Sequence, residues 1–510
     1  MTPSPGTFPP LRGLPLVLAT IFLSLAMFMQ VLDTTIANVS IPHIAGDLAV
    51  SPNQGTWVIT SFAVSNAIAL PLTGWLAQRF GEIRLFVGST LLFSFTSWLC
   101  GLAPDFGLLV AARALQGFAA GPMVPLSQTI LLSCYPREKR GLALAFWAMT
   151  TTVAPIAGPL LGGWITDNFS WPWIFYINVP VGLLAAYVVW QVLRERETAT
   201  RKVPVDVIGL SLLVIGIGSM QVLLDKGNEL DWFGSAFIVG LGAVVVVALA
   251  FFVVWELTDK HPIVDLSLFR GRNFTVGTVA LSLGYMTFFG AVVIFPLWLQ
   301  TQMGYTATWA GLASAPIGIM AIFLSPIVGH NLPRLNLRLL VSFAFVVFAF
   351  TFVWQSTFST EADFAYLAWP RFVQGVGVAC FFVPLMTILL SGLAPHQVAN
   401  ATGLANFMRV LGGSFGTSLS ITLWDRRASF HQSQLTEHIN AFNPAASLSL
   451  ERLQSLGLDP QQALQLTGQV ISRQAVMLAT DDVFLLFAGI FLSLLVLVWL
   501  AKPPFGGAGR

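Results

Sequence analysis

The chain is written in long apolar stretches separated by short polar ones. Runs of twenty or more mostly hydrophobic residues recur almost from end to end, each long enough to cross a bilayer core of roughly 30 Å as a helix. Breaking the runs at charge and Pro/Gly clusters predicts fourteen spans, at 14–36, 55–77, 85–103, 107–133, 141–165, 172–193, 207–224, 235–257, 274–299, 309–329, 339–358, 366–392, 400–424 and 482–501. The alternating ten-residue strands of an outer-membrane barrel are absent. The first run is far longer than a signal-peptide core and lacks a small-residue cleavage site, so it is expected to be a retained span.

Composition points the same way: 55% of residues are hydrophobic and 9% charged, against about 25% charged in soluble domains. The expected class is an all-α polytopic membrane protein. With the N-terminus inside, seventeen of the 25 Lys and Arg fall in cytoplasmic segments and five on the other side, four of those in one long loop. This bias sets the orientation and puts both termini in the cytoplasm, which requires an even number of spans. The basic residues therefore serve topology, and the net charge of +2 indicates no nucleic-acid partner. Cys100, Cys134 and Cys380 lie far apart without C-x-x-C or metal-site spacing, so no disulfide, metal or cofactor is expected. Neither H-E-x-x-H nor G-x-S-x-G occurs, and His43, His261, His330, His396, His431 and His438 all fall in predicted loops. No catalytic residue and no enzyme activity is expected. Without a G-x-x-x-x-G-K-[ST] loop, active transport would draw on an ion gradient or on another chain.

The chain also repeats itself. "RALQGFAAGPMVPLSQTILLS" from Arg113 and "RFVQGVGVACFFVPLMTILLS" from Arg371 match at eight positions with one offset of 258. Two such halves place a substrate path at their interface. The matched segments are the fourth and twelfth predicted spans, which predicts a 6+2+6 plan. Residues 1–193 form an N-terminal six-helix bundle, 194–273 a linker with two inserted helices, and 274–510 a C-terminal bundle. The last of these contains a long periplasmic loop, 425–481. In that loop Asp459–Pro460 fits an N-cap and N1 pair, and Leu464, Ile471, Ala475 and Leu478 form a partial apolar stripe. A small helical cap and a docking surface for a periplasmic partner both fit it.

Asp33 is the one acidic residue of 23 set well inside an uncharged run. An ionised carboxylate in a span costs roughly 2.5–3.5 kcal/mol on insertion scales, so it has to be paired, protonated or open to water. It stands 19 residues past Leu14, about 29 Å along a helix, so headgroup depth is the competing placement. Arg113 is its expected partner. A nearby cation favours the charged form of an acid and burial the neutral form, the setting in which a group trades a proton as access alternates. Asp33 and Arg113 are the candidate proton-coupling pair. Arg371 and Arg409 have no matching acid; contact with anionic substrate groups and binding to backbone carbonyls are equally open for them.

Candidates to line a substrate cavity are these two arginines, the intramembrane polar residues Gln30, Thr34, Gln116, Gln128, Gln374 and Asn406, and the aromatics Tyr285, Phe288, Trp298 and Phe381. An apolar cavity lined by such aromatics suits bulky hydrophobic cargo. Two clusters look mechanical. "GWLAQRFGEIR" places Gly74, Arg79, Gly81 and Arg84 on a short cytoplasmic turn. "APIAGPLLGG" crowds Pro155, Gly158, Pro159, Gly162 and Gly163 into the fifth span, where small residues allow close approach and Pro a bend. Generic packing and a moving joint explain them equally well.

Together these clusters resemble the major facilitator superfamily, specifically its fourteen-span drug:proton antiporters. "LDTTIANVSIP" resembles the first-span motif, with the family's Asp at Asp33, and "RALQGFAAGP" the span-four motif, with its Arg at Arg113. "GWLAQRFGEIR" resembles the loop motif, and "APIAGPLLGG" the antiporter motif that accompanies export. "QGTWVITSF", "ELDWF", "NAFNP" and "AKPPFG" extend the likeness along the whole chain. The resemblance implies a pseudo-twofold pair of bundles in the bacterial inner membrane that exports hydrophobic drugs and uncouplers against protons. It also implies a tripartite pump, with a periplasmic membrane-fusion adaptor and, through it, an outer-membrane channel. Two residues depart from the loop motif: Gln78 stands where an Asp is usual, and Glu82 where a basic residue is usual. Two rival readings are an uptake symporter of the same fold, which the span-five cluster disfavours, and a non-transporting sensor or scaffold, which leaves Asp33 and Arg113 without a role.

Overall fold

The computed structural model describes residues 8–505 apart from 201–205, 260, 261, 263, 395, 396, 438 and 440–442, and the described residues contain helices and connections but no strand. The first half consists of α1 (Leu14–Asp47), α2 (Trp57–Phe80), α3 (Glu82–Gly101), α4 (Phe106–Cys134), α5 (Arg140–Asn168) and α6 (Asn178–Leu193), the last entered through the single turn Trp173–Tyr176. An inserted pair follows, α7 (Val207–Lys226) and α8 (Ala236–Thr258). The second half begins with α9 (Arg272–Gln302), after which the short helix Ala307–Ser314 leads into α10 (Pro316–Asn331). It closes with α11 (Leu337–Gln355), α12 (Phe364–Leu389), α13 (Val398–Glu437) and α14 (Pro460–Trp499).

Each of the fourteen predicted spans falls on one of these fourteen helices. Among the described residues twelve helices are long and apolar enough to cross a membrane, and α5 makes a thirteenth if its two arms, bent by 45°, are one span. The helix in the thirteenth predicted position, α13, is 40 residues long but too polar to qualify. Asn400, Asn406, Arg409 and a run of Gly and Ser dilute its apolar content, and the helix packs against α2, α4, α7, α9 and α14.

The repeat extends to the helix ends. Leu14 and Arg272, Phe106 and Phe364, and Arg140 and Val398 begin equivalent helices at the same offset of 258. Asp105 and Asp363, also 258 apart, cap α4 and α12 by accepting the backbone N–H three residues on. Packing repeats as well: α1 on α5 matches α9 on α13, and α2 on α4 matches α10 on α12. The halves meet along α5 with α10 and α2 with α13, while the inserted α7 lies against both α2 and α13. Ser418 donates to the carbonyl of Leu224 (2.5 Å) and Trp232 to Thr422 (3.0 Å), tying the insertion to the second half; Thr60 donates to Asp225 on the side of the first.

Segment 425–481 is not a loop. Both flanking helices run on past their apolar parts, α13 to Glu437 and α14 from Pro460, with a short helix Pro444–Ser455 between them. The apolar-run criterion sees only the membrane-depth portion of such helices. Asp459 does cap α14, in a capping box with Gln462. The histidines are corrected for the same reason: His43, His330 and His431 lie in α1, α10 and α13. His261, His396 and His438 lie outside the described residues, as does most of the "NAFNP" segment.

Candidate functional site

Asp33 is fully buried, and α4 brings Arg113, also fully buried, against it. Arg113 Nη1 donates to Asp33 Oδ2 at 2.5 Å. The other carboxylate oxygen accepts from Asn178 Nδ2 (2.8 Å) and Gln116 Nε2 (3.2 Å). The guanidinium is engaged on its remaining sides: Nε donates to the Val58 carbonyl (3.0 Å), Nη1 to Gln116 Oε1 (2.8 Å), and the Phe62 ring lies 4.3 Å away. Asp33 is therefore packed inside the helix bundle, and one acid links α1, α4 and α6. A buried pair is tolerable only when its further hydrogen bonds are satisfied in this way. Gln116, expected in a cavity wall, belongs to the acid's own shell. Asn178, and Ser97 which accepts from it at 3.0 Å, were missed: a single Asn or Ser in an apolar span carries no periodic signal.

The span-five glycines explain how α1 is held. A Cβ at Gly158 would strike Thr35, and one at Gly162 would sit 2.7 Å from the Ile36 carbonyl oxygen. These glycines therefore seat α5 on the stretch of α1 beside Asp33. Pro155 is buried and Gly163 half-buried on the same helix; the side chain of Pro159 is outside the described residues.

The repeat places Arg371 and Gln374 where Arg113 and Gln116 stand. Arg371 Nη1 donates to Gln374 Oε1 (3.0 Å), Nη2 to the Ala291 carbonyl (3.3 Å), and the Phe295 ring lies 3.9 Å from the guanidinium. The Ala291 carbonyl supplies one of the two kinds of contact left open for Arg371.

A second cluster joins the halves. Arg409 Nε donates to Asn406 Oδ1 (3.1 Å), and Asn406 Nδ2 donates across to Gln128 Oε1 (3.0 Å) on α4. The Arg409 guanidinium lies 4.8 Å from the Tyr285 ring and 5.9 Å from that of Trp147. Trp147 stacks on Phe382 at 4.9 Å and donates to Ser127 (3.0 Å). Tyr285 gathers Phe288, Phe289 and Phe381 within 6.2 Å. The result is a buried cationic, amide-rich and aromatic cluster built from both halves. Trp147 and Phe382 were not among the expected lining residues. Trp298 was, but it is buried elsewhere, stacked on Phe358 at 6.0 Å within the second half. Gln30 is buried on α1 and Thr34 half-buried, donating to the Val31 carbonyl at 2.6 Å.

The loop-motif residues divide. Gly74 and Arg79 lie in α2 and Arg84 in α3, not on a turn, and a Cβ at Gly74 would strike Asn400 of the other half. Gly81 forms the turn with φ of 91°, a value that favours glycine. Gln78, at the position where the motif usually has Asp, is exposed. The anion at this turn is instead Glu197, which follows α6 and accepts from the backbone of Ile83 (3.1 Å) and Arg84 (2.8 Å). A carboxylate there satisfies free N–H groups at the start of α3.

Comparison with known proteins agrees with this architecture. A family model described as Major Facilitator Superfamily matches residues 23–417. The chain is 55% identical over 501 residues to Multidrug export protein EmrB of Escherichia coli (strain K12), covering 98% of each chain. It is 52% identical over 500 residues to the protein of that name in Haemophilus influenzae, again covering 98% of each. It is 50% identical over 505 residues to Fatty acid resistance protein FarB of Neisseria gonorrhoeae, covering 99% of this chain and 100% of that one.

Proposed function

The chain belongs to the major facilitator superfamily and is a multi-pass bacterial inner-membrane protein, and from that premise we propose that it exports hydrophobic drugs in exchange for protons. The names of its relatives put drugs and fatty acids in the cargo class. Cargo binds against the cluster of Tyr285, Phe288, Phe381, Asn406 and Arg409 while the molecule faces inward. After it opens outward, Asp33 takes a proton from the periplasmic side, cargo leaves, and return to the inward-facing form releases the proton inside.

The observation that carries this reading is the 2.5 Å pair of Asp33 with Arg113 in a fully buried setting. Protonation removes one charge from a site where three helices converge. The glycines of α5 rest on the same stretch of α1. The far end of α5 meets the other half, where Gly141 and Gly329 approach backbone to backbone. A change at Asp33 therefore has a packed route to the bundle interface.

We further propose that α13, α14 and the short helix between them receive a periplasmic adaptor, through which an outer-membrane channel completes the pump. Leu448, Leu456, Leu464, Leu466 and Val470 are exposed there and supply an apolar surface of the kind that marks an interface. Inside-out vesicles test the transport reading: acidifying the lumen should drive dye inward, and collapsing the gradient should stop it. Accumulation that ignores the gradient refutes proton coupling.

A further inference from the structure

The two halves carry the same arginine and glutamine, but only one carries the acid. The offset that aligns the helix starts places Ala291 at the position of Asp33. The geometry agrees, since Arg371 reaches the Ala291 carbonyl as Arg113 reaches the Asp33 carboxylate. In the first half Asp33 accepts from both the guanidinium and the Gln116 amide. In the second half Arg371 Nε and Gln374 Nε2 are buried donors without a hydrogen-bond partner, on side chains 3% and 0% exposed. No acidic residue forms a salt bridge with Arg371 among the described residues.

A guanidinium stays charged at neutral pH, and a buried charge without a counter-charge is costly. The Phe295 ring and two oxygen acceptors offset part of that cost but leave the two donors aimed at nothing. Both are suited to oxygen or halide acceptors of negative charge.

We propose that Arg371 and Gln374 form an anion subsite, in which a monovalent anion takes the role that Asp33 plays in the first half. Free chloride and the carboxylate head of an amphiphilic cargo share this chemistry. The cargo source rests on the export reading. Binding is measured without transport, so failure of either idea is seen separately.

The test uses the full-length chain in detergent and follows the thermal unfolding midpoint, which rises with any ligand that prefers the folded state. One arm titrates sodium chloride at constant ionic strength against sodium gluconate; the other compares octanoate with octanol. Ala291→Asp supplies the carboxylate from within, and Arg371→Gln removes the charge, so one variant remains if the other fails to fold. A chloride response weakened roughly tenfold or more in either variant identifies the free ion as occupant. A response to octanoate but not to octanol or chloride, lost in the same variants, identifies the cargo head group. No response in either arm, or a response unchanged in both variants, overturns the proposal.

Discussion

Replacing Asp33 by Asn keeps the shape of the side chain and removes its charge. In the structure the carboxylate accepts from Arg113, Gln116 and Asn178. An amide has one acceptor oxygen, and its NH2 group would face donors. The Arg113 guanidinium, 0% exposed, then lacks a counter-charge, a change that costs about 3–5 kcal/mol in buried pairs. The functional effect is separate. A proton-motive force of ~150 mV supplies roughly 3.5 kcal/mol per charge moved, a gradient on the order of several hundredfold for a neutral drug exchanged against one proton. With no group to carry the proton, accumulation should fall to about the passive level. The assay is drug-driven proton release and gradient-driven drug uptake in proteoliposomes, with size-exclusion chromatography as the folding control. The double variant Asp33→Asn/Arg113→Gln should recover much of the lost stability, because no charge is left stranded, and still fail to couple. Drug-driven proton release at the wild-type level from Asp33→Asn would refute the mechanism; recovery of coupling in the double variant would refute it equally.

Three shorter predictions follow from the same geometry. Gly329→Val places bulk against the Gly141 carbonyl and should drive α5 and α10 apart, seen as a longer spin-label distance across that contact; an unchanged distance would show that the close approach is not needed. Arg409→Met removes the cation beside Tyr285 and Trp147 and should change the affinity for anionic dyes by roughly tenfold, measured by fluorescence titration, while neutral dyes are less affected. Asp459→Ala removes the capping box of α14 and should cost about 1 kcal/mol locally. Amide exchange should quicken at residues 461–463 with transport in proteoliposomes unaltered.

The chain alone determined its class, its repeat and the acid set deep inside its first span. A helix in lipid must satisfy its backbone within itself, so each span is a local, uninterrupted apolar run, and a charge inside one stands out against it. The helices beyond the apolar runs in 425–481 lie outside what such runs can report. Only the tertiary structure decided which partners the acid receives, because Asn178 lies 145 positions from Asp33 and reaches it by helix packing. The same holds for Glu197 at the start of α3, for Trp147 and Phe382 at the interface, and for the removal of Trp298 from it. Each of these contacts is made between helices distant in sequence, and helix packing selects them by the shape of whole surfaces, which no local pattern of residues records.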